Sequence, residues 1–457
     1  MSPTGESTQS RRSFLSAAAK TAGAALALSP LQVLAQDKVP QPPAPSKEVA
    51  VPGFPSADPA WRRTWDAALA VLARNLRGIA GYHRPVLIEG SVYSGIWLEC
   101  GPHEGLVYAS LARYIQPAAT TPIEAARNNH MAFFALQRPD GQLPAYATKD
   151  VVGFGQIQMV VPIAATAWEL AQLSGDEELL VAAYQACSRW DAWLRHYRDT
   201  RKTGLVEGFC TYDTGQDNSP RWRGIPNGCP GDDARKCPPL ASLPRLCPDL
   251  SATVYGGRVA LAAMAKALGK TAEVERWQSD AETIRQLILD RLYSPDDAAF
   301  YDLDAQNKFV RVRSDAISRV LGEHVLDLSQ ARDREIFEAV FSRQLHNPKA
   351  FWAPYPFPSI AMDDPTFVRP IPANSWGGAS QALTALRAAR WMTHYGKQTE
   401  LNLLMRQWCQ AITRQTEFRQ QLDPLTGDYT LPDPGGYTST ILVYMSFASS
   451  LSQSRGL

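Results

Sequence analysis

Asp217-Asn218-Ser219-Pro220-Arg221-Trp222 places a carboxylic acid, an amide, a guanidinium and an indole within six residues. Turn-forming residues flank it, Thr214-Gly215 before and Gly224 and Pro226 after. That set suits sugar chemistry: an acid can protonate a glycosidic oxygen, polar groups can read hydroxyls, and an indole can stack on a pyranose face. The plainer reading is a polar loop in which Asp217 caps a helix and Trp222 belongs to the core. A second concentration is Trp97-Leu98-Glu99-Cys100-Gly101-Pro102-His103-Glu104, with two carboxylates and a histidine at a Gly-Pro helix entrance. Glu104 can equally be an acidic first-turn residue favoured by the helix dipole, and a lone His103 is more often structural than a proton shuttle.

These residues need a frame. The chain has 457 residues, 45% hydrophobic and 20% charged, with formal net charge +1 and 12 Trp. No basic stripe of the kind nucleic acid demands is present. Amphipathic helical spacing recurs over Trp61–Leu76, Glu104–Tyr114, Ile123–Leu136, Val161–Leu173, Leu179–Tyr197, Leu250–Leu268, Glu273–Leu292, Ser329–Phe341, Gln381–Tyr395, Leu401–Thr416 and Thr438–Leu451. That makes about eleven helices, with one or two short ones escaping the period. Long loops hold the unusual residues: 93–103, 140–158, 211–248, 351–378 and 423–437. Consecutive helical hairpins with such loops predict an all-α double-layered (α/α)6 toroid whose rim loops line a central funnel. A solenoid would show a regular repeat, and none is seen.

Ser10-Arg11-Arg12-Ser13-Phe14-Leu15 followed by an apolar run to Leu34 reads as a twin-arginine export signal over residues 1–35. Pro40, Pro42, Pro43 and Pro45 mark a linker or arm over 36–55, which leaves 56–457 as the folded domain. The expected location is periplasmic or secreted, with no membrane contact once the signal is removed. In an oxidising compartment one or two disulfides are expected among Cys210, Cys229, Cys237 and Cys247. Their spacing does not fit zinc, and no phosphate loop or G-x-G-x-x-G follows a strand, so neither metal nor nucleotide cofactor is expected. Asp363-Asp364 resembles a metal pair, but a turn before Pro365 explains it as well.

Several blocks, in order, carry a resemblance. They are Trp97-Leu98-Glu99, Gln137-Arg138-Pro139-Asp140-Gly141, Gln158, Gly204-Leu205-Val206-Glu207, Asp217 to Trp222, Pro354-Tyr355-Pro356, Asp423-Pro424-Leu425-Thr426-Gly427 and Gly436-Tyr437-Thr438. From about Trp97 onward the chain resembles the (α/α)6-barrel inverting glycosidases that include trehalases, mannosylglycerate hydrolases and processing α-glucosidases. The resemblance implies a carbohydrate substrate and Asp217 as general acid, with Trp97, Gln158, Asn218, Arg221, Trp222, Trp376 and Gln420 about the sugar and Asn374 beside them. Inversion needs a second carboxylate, about 6.5–9.5 Å from the acid, to activate water. The family's Glu for that role falls on Gln420, its early Trp-Asp pair on Leu98-Glu99, and a sugar-binding Arg is absent after Trp376. An amide cannot take a proton from water, so Glu99 is the candidate base, or a sugar ligand while Gln420 positions water. A carbohydrate-binding protein without catalysis, or a lyase using His103, Tyr212 and Arg221, remain as other readings.

Overall fold

The computed structural model describes residues 58–453, apart from 117–118, 372–374 and 416. The export signal, the Pro-rich arm and Asn374 lie outside the described residues. Twelve helices are described: α1 Pro59–Arg74, α2 Gly101–Ser110, α3 Pro122–Ala135, α4 Ile163–Ser174, α5 Glu177–Tyr197, α6 Pro248–Ala267, α7 Thr271–Arg291, α8 Ala316–Gly322, α9 Ala331–Val340, α10 Ala382–His394, α11 Gln398–Thr413 and α12 Thr438–Gln453. Eleven answer to the periodic segments of the sequence. The twelfth, α8, has seven residues, all buried. Two turns without a polar face give no period to detect.

The even-numbered helices close a ring, each packing on the next from α2 through α12 and α12 returning to α2. Outside it, α3 packs on α2, α5 on α4, α7 on α6, and α1 and α11 on α12. The chain is therefore an (α/α)6 toroid. Composition sorts the layers. In α6, 14 of 20 residues are buried, many of them Ala, Gly or Ser, because an inner helix is covered on several sides. In α7 only five of 21 are buried, along one stripe of Trp277, Ala281, Ile284, Ile288 and Leu289. Outer helices also begin on strong signals. Thr121 and Glu124 form a reciprocal capping box on α3, and the Asp176 carboxylate accepts from Leu179 N–H on α5. Among the described residues, no helix is long and apolar enough to cross a membrane.

Short strands tie the loops that enter the inner helices. Gly95–Trp97 pairs antiparallel with Tyr146–Thr148, which pairs with Val152–Gly153. Ser380–Gln381 pairs with Gln421–Leu422. Glu207–Gly208, Arg245–Leu246, Asp302–Leu303 and Phe309–Val310 make a four-stranded sheet. Candidate residues thus come together at one rim although they are hundreds of positions apart.

Candidate active site

The acid block is built from behind. Asp213 anchors it: its carboxylate pairs with the buried Arg198 guanidinium and accepts from Phe209, Cys210 and Ile157 N–H. Its carbonyl takes the Met159 N–H at 2.9 Å, which joins the Gln158 segment to the acid loop. Ahead of it, Arg221 is braced by two carboxylates. Nε and Nη2 reach Asp302 at 2.8 and 2.6 Å, Nη1 and Nη2 reach Asp249 at 2.8 and 2.6 Å, and Nη1 also reaches Gln216 Oε1 at 2.9 Å. All five N–H donors are thereby occupied. The expected sugar contact from Arg221 is corrected: this side chain has no donor left for a hydroxyl, and it holds the turn instead. Trp222 is corrected likewise. It is 2% exposed, gives its indole N–H to Thr214 Oγ1 at 2.9 Å, and packs between the Arg221 and Arg245 guanidinium groups.

Asp217 stands on this support. Its side chain is 5% exposed, and its carbonyl accepts the Trp376 N–H at 3.2 Å. Asn218 follows in the left-handed region at φ +59° and is exposed, the conformation a short polar residue tolerates best in a tight turn. Trp376 is buried, with the Arg319 guanidinium 5.2 Å from its ring centroid.

Against the acid turn stands a wall of buried carboxylates. Glu89, Glu99 and Glu104 are 1%, 2% and 0% exposed. Glu99 Oε2 lies where a side chain on Gly215 would sit, 1.4 Å from an ideal Cβ. Gly215 takes φ +65°, so a glycine there serves both the turn and this approach. Glu99 is therefore in contact with the turn that carries Asp217. Carboxylate oxygens of Glu89 and Glu99 and the Cys100 sulfur fall within 4.8 Å of one another. Tyr437 donates to Glu89 Oε1 at 2.8 Å, and Ser439 donates to Glu104 Oε1 at 2.5 Å. Burial pushes the Glu104 pKa up to about 7; Glu99 adds to that, and the Ser439 hydrogen bond and Arg387 charge oppose it.

Gln420, 5% exposed, accepts the Tyr93 hydroxyl on Oε1 at 3.1 Å. The Tyr93 ring meets Trp97 edge-on at 5.4 Å and Tyr437 at 6.0 Å, and Trp97 stacks on Tyr146 at 5.8 Å. Gln158 is fully buried at φ +45°. Its Oε1 accepts from Gln156, and its Nε2 has no partner among the described residues. Trp97, Glu99, Gln158, Trp376 and Gln420 thus lie on the segments that enter the inner helices or pair beside them. Burial, then the Arg390 and Arg387 charges, push the pKa of His103 well below 6.5.

Sequence reasoning missed Glu89. Its signal was a lone acid ending the apolar run Val86-Leu87-Ile88. Two metal-like groups occur among the described residues. In one, Asp213 is already saturated, as above. In the other, Glu89, Glu99 and Cys100 could bracket an ion, but burial and the three neighbouring glutamates push the thiol well above its usual range. Asp363 and Asp364 pair with Arg313, and Asp364 caps the turn at Thr366; they form no metal pair. All seven cysteines are free thiols. The expected disulfides are not formed, although Cys210 and Cys229 approach to 3.7 Å between sulfurs.

The model of the mannosylglycerate hydrolase MGH1-like glycoside hydrolase domain matches residues 118–440. No curated protein matches. Among solved structures, an uncharacterized conserved protein from Thermus thermophilus aligns at 20% identity and TM-score 0.64, over 84% of this chain and 99% of that one. The GH63 mannosylglycerate hydrolase of the same organism, in complex with glucose, aligns at 19% identity and TM-score 0.62 with the same coverage. Neutral trehalase Nth1 from Saccharomyces cerevisiae aligns at 12% identity and TM-score 0.61, over 83% of this chain and 79% of its own. With seven-tenths of its length matched by the domain model and the toroid shared, the chain belongs to the MGH1-like glycoside hydrolase family.

Proposed function

We propose that the protein is an exported glycoside hydrolase that cleaves an α-linked sugar with inversion, Asp217 being the proton donor. Export rests on the Arg11-Arg12 signal in the sequence. The observation that carries the reading is the placement of Asp217, a buried carboxyl on a turn held rigid by Arg221, touching the same turn as Glu99. A donor needs a dry, fixed seat to hold its proton at neutral pH. On the acceptor side, Glu89 and Glu99 are buried side by side. One carboxylate of this pair receives the proton of the water that Gln420 orients. Glu99 is assigned that acceptor role because it borders the Asp217 turn.

The test is proton NMR of a panel of α-linked glucosides and mannosides with the purified protein. The first product to accumulate should be the β-anomer. Asp217→Asn and Glu99→Gln should each slow turnover by roughly 10²–10⁴. An α-anomer as first product, or an Asp217→Asn variant at full rate, overturns the reading.

One observation favours a second reading, a sugar-binding protein without catalysis. The oxygen of Gln420, the residue on which the resemblance puts the family's base, is already taken by Tyr93. In that case the native protein binds a sugar by calorimetry and releases no free sugar from any substrate.

A further inference from the structure

Behind the carboxylate wall, in the middle of the inner ring, three arginines surround a small space. Arg319 comes from α8, and Arg387 and Arg390 come from α10. The lining includes Asp315, Ser318, Glu323 and Thr384. Arg319 and Arg387 are 5% and 7% exposed. Four of their nitrogens have no hydrogen-bond partner among the described residues: Arg319 Nη2, Arg387 Nε and Nη1, and Arg390 Nε. Arg387 has only one hydrogen bond there, from Nη2 to the Glu99 carbonyl, and at 3.4 Å it is long. A buried guanidinium left this bare loses hydration and gains little in return.

The anionic groups nearby answer for it only in part: the charges of Glu99 and Asp315 favour the Arg387 cation, but its Nε and Nη1 receive no hydrogen-bond partner from them. Asp315 is engaged by Gln216, by Arg319 Nε at 3.0 Å and by Thr384 at 3.1 Å. Arg390 Nη1 and Nη2 turn outward to Glu169 at the surface. The Glu323 carboxyl faces Gly256, where an added Cβ would lie 2.3 Å from Oε2. Burial pushes its pKa up to about 8, so at pH 7 it is mostly neutral.

We propose that this space is a binding site for a monatomic anion, chloride above all, held by Arg319, Arg387 and Arg390. Size and chemistry agree. The space is about 10 Å³, the least that holds a single water-sized occupant, so a monatomic anion is favoured over a larger oxyanion and needs slight outward movement of the guanidinium groups. Its position gives the ion a structural task. Arg319 Nη1 holds the Thr214 carbonyl at 2.7 Å, three residues before Asp217, and Arg387 holds the carbonyl of Glu99. One ion between these guanidinium groups fixes the acid turn and the carboxylate wall relative to each other. The inference stands apart from the sugar chemistry, since occupancy can be read without any substrate.

The experiment is diffraction from crystals of the native protein in sodium bromide, with data at the bromine absorption edge. An anomalous peak among the three guanidinium groups is expected. Thermal unfolding in sodium bromide or chloride should lie about 2 °C above that in sodium gluconate of equal ionic strength. That difference should vanish in Arg387→Met and shrink in Arg387→Lys. Density of water scattering strength with no anomalous signal overturns the site. So does a melting temperature that is indifferent to the halide.

Discussion

Two buried arginines, one under the acid turn and one behind the carboxylate wall, are treated in opposite ways. Arg221 is 3% exposed and spends every donor on Asp249, Asp302 and Gln216. Arg387 is 7% exposed and makes one long bond to a carbonyl. Burial, then the like charge of Arg319, push its pKa down to about 10, whereas the two carboxylates around Arg221 push that group up against the burial cost. A saturated buried charge is a strut, because nothing remains for a ligand to satisfy. An unsaturated one marks a place where the fold leaves chemistry for something else. Arg221 lies within the block most suggestive of sugar binding, and yet it is the strut.

The largest effect should come from cutting that strut. Arg221→Met strands Asp249 and Asp302 in the interior, and we expect a loss of about 5 kcal/mol in urea unfolding, near the top of the range for a broken buried pair. Arg221→Lys should recover little, since an ammonium cannot bridge two carboxylates bidentately. A soluble Arg221→Met protein with native stability would erase the distinction between the two arginines.

Next in size is a pH effect on the unsaturated side. The Glu323 pKa rises from 4.5 in the unfolded chain to about 8 in the folded one. Between those values the folded state holds a proton the unfolded state has lost, so stability from this group is full below pH 4.5 and falls as pH rises to 8. The shift corresponds to on the order of 4–5 kcal/mol. Glu323→Gln should flatten that part of the stability profile and leave the protein more stable than the parent at pH 8.5. A parallel profile for the two proteins would show that Glu323 is ionised in the ring, paired with Arg387.

The helical frame was legible because eleven helices carry a period, and α8 was not because seven buried residues carry none. Asp217 and Glu99 could be singled out since a turn-rich loop and a Gly-Pro helix entrance announce themselves locally. Arg221 and Trp222 were misjudged because composition gives a residue's capacity to bond and not whether its donors are already used. That depends on Asp249 and Asp302, which are distant in sequence and brought in by the fold. Glu89 was missed for a related reason. It follows the strand Tyr82–Leu87, its partner Tyr437 is 348 positions away, and no local pattern connects them.

A third variant probes the contact between the acid turn and the wall. Gly215→Ala would place a methyl group on Glu99 Oε2 and hold alanine at φ +65°. The backbone alone costs roughly 1–2 kcal/mol, and the clash must move Glu99 or the turn. If the two are coupled, turnover should fall at least as far as in Glu99→Gln while stability drops by only ~2 kcal/mol. Full turnover in Gly215→Ala would mean that Glu99 can leave the Asp217 turn without consequence.

The smallest expected effect calibrates the others. Thr121→Ala removes the hydroxyl that accepts from Glu124 N–H at 3.2 Å at the start of the outer helix α3. Both groups are exposed, far from any bare charge, and water can replace the bond. The cost should be about 1 kcal/mol, in line with other N-caps. Turnover and halide dependence should be unchanged, because nothing in the cap reaches the inner ring. If Thr121→Ala altered either one, then losses in Gly215→Ala or Arg387→Met could arise from general loosening of the toroid. Equal insensitivity of all three would remove the case for a mechanical link between the ring centre and the acid turn. The pattern that supports the link has α3 silent, Gly215→Ala slowing turnover, and Arg387→Met both losing the halide response and slowing turnover.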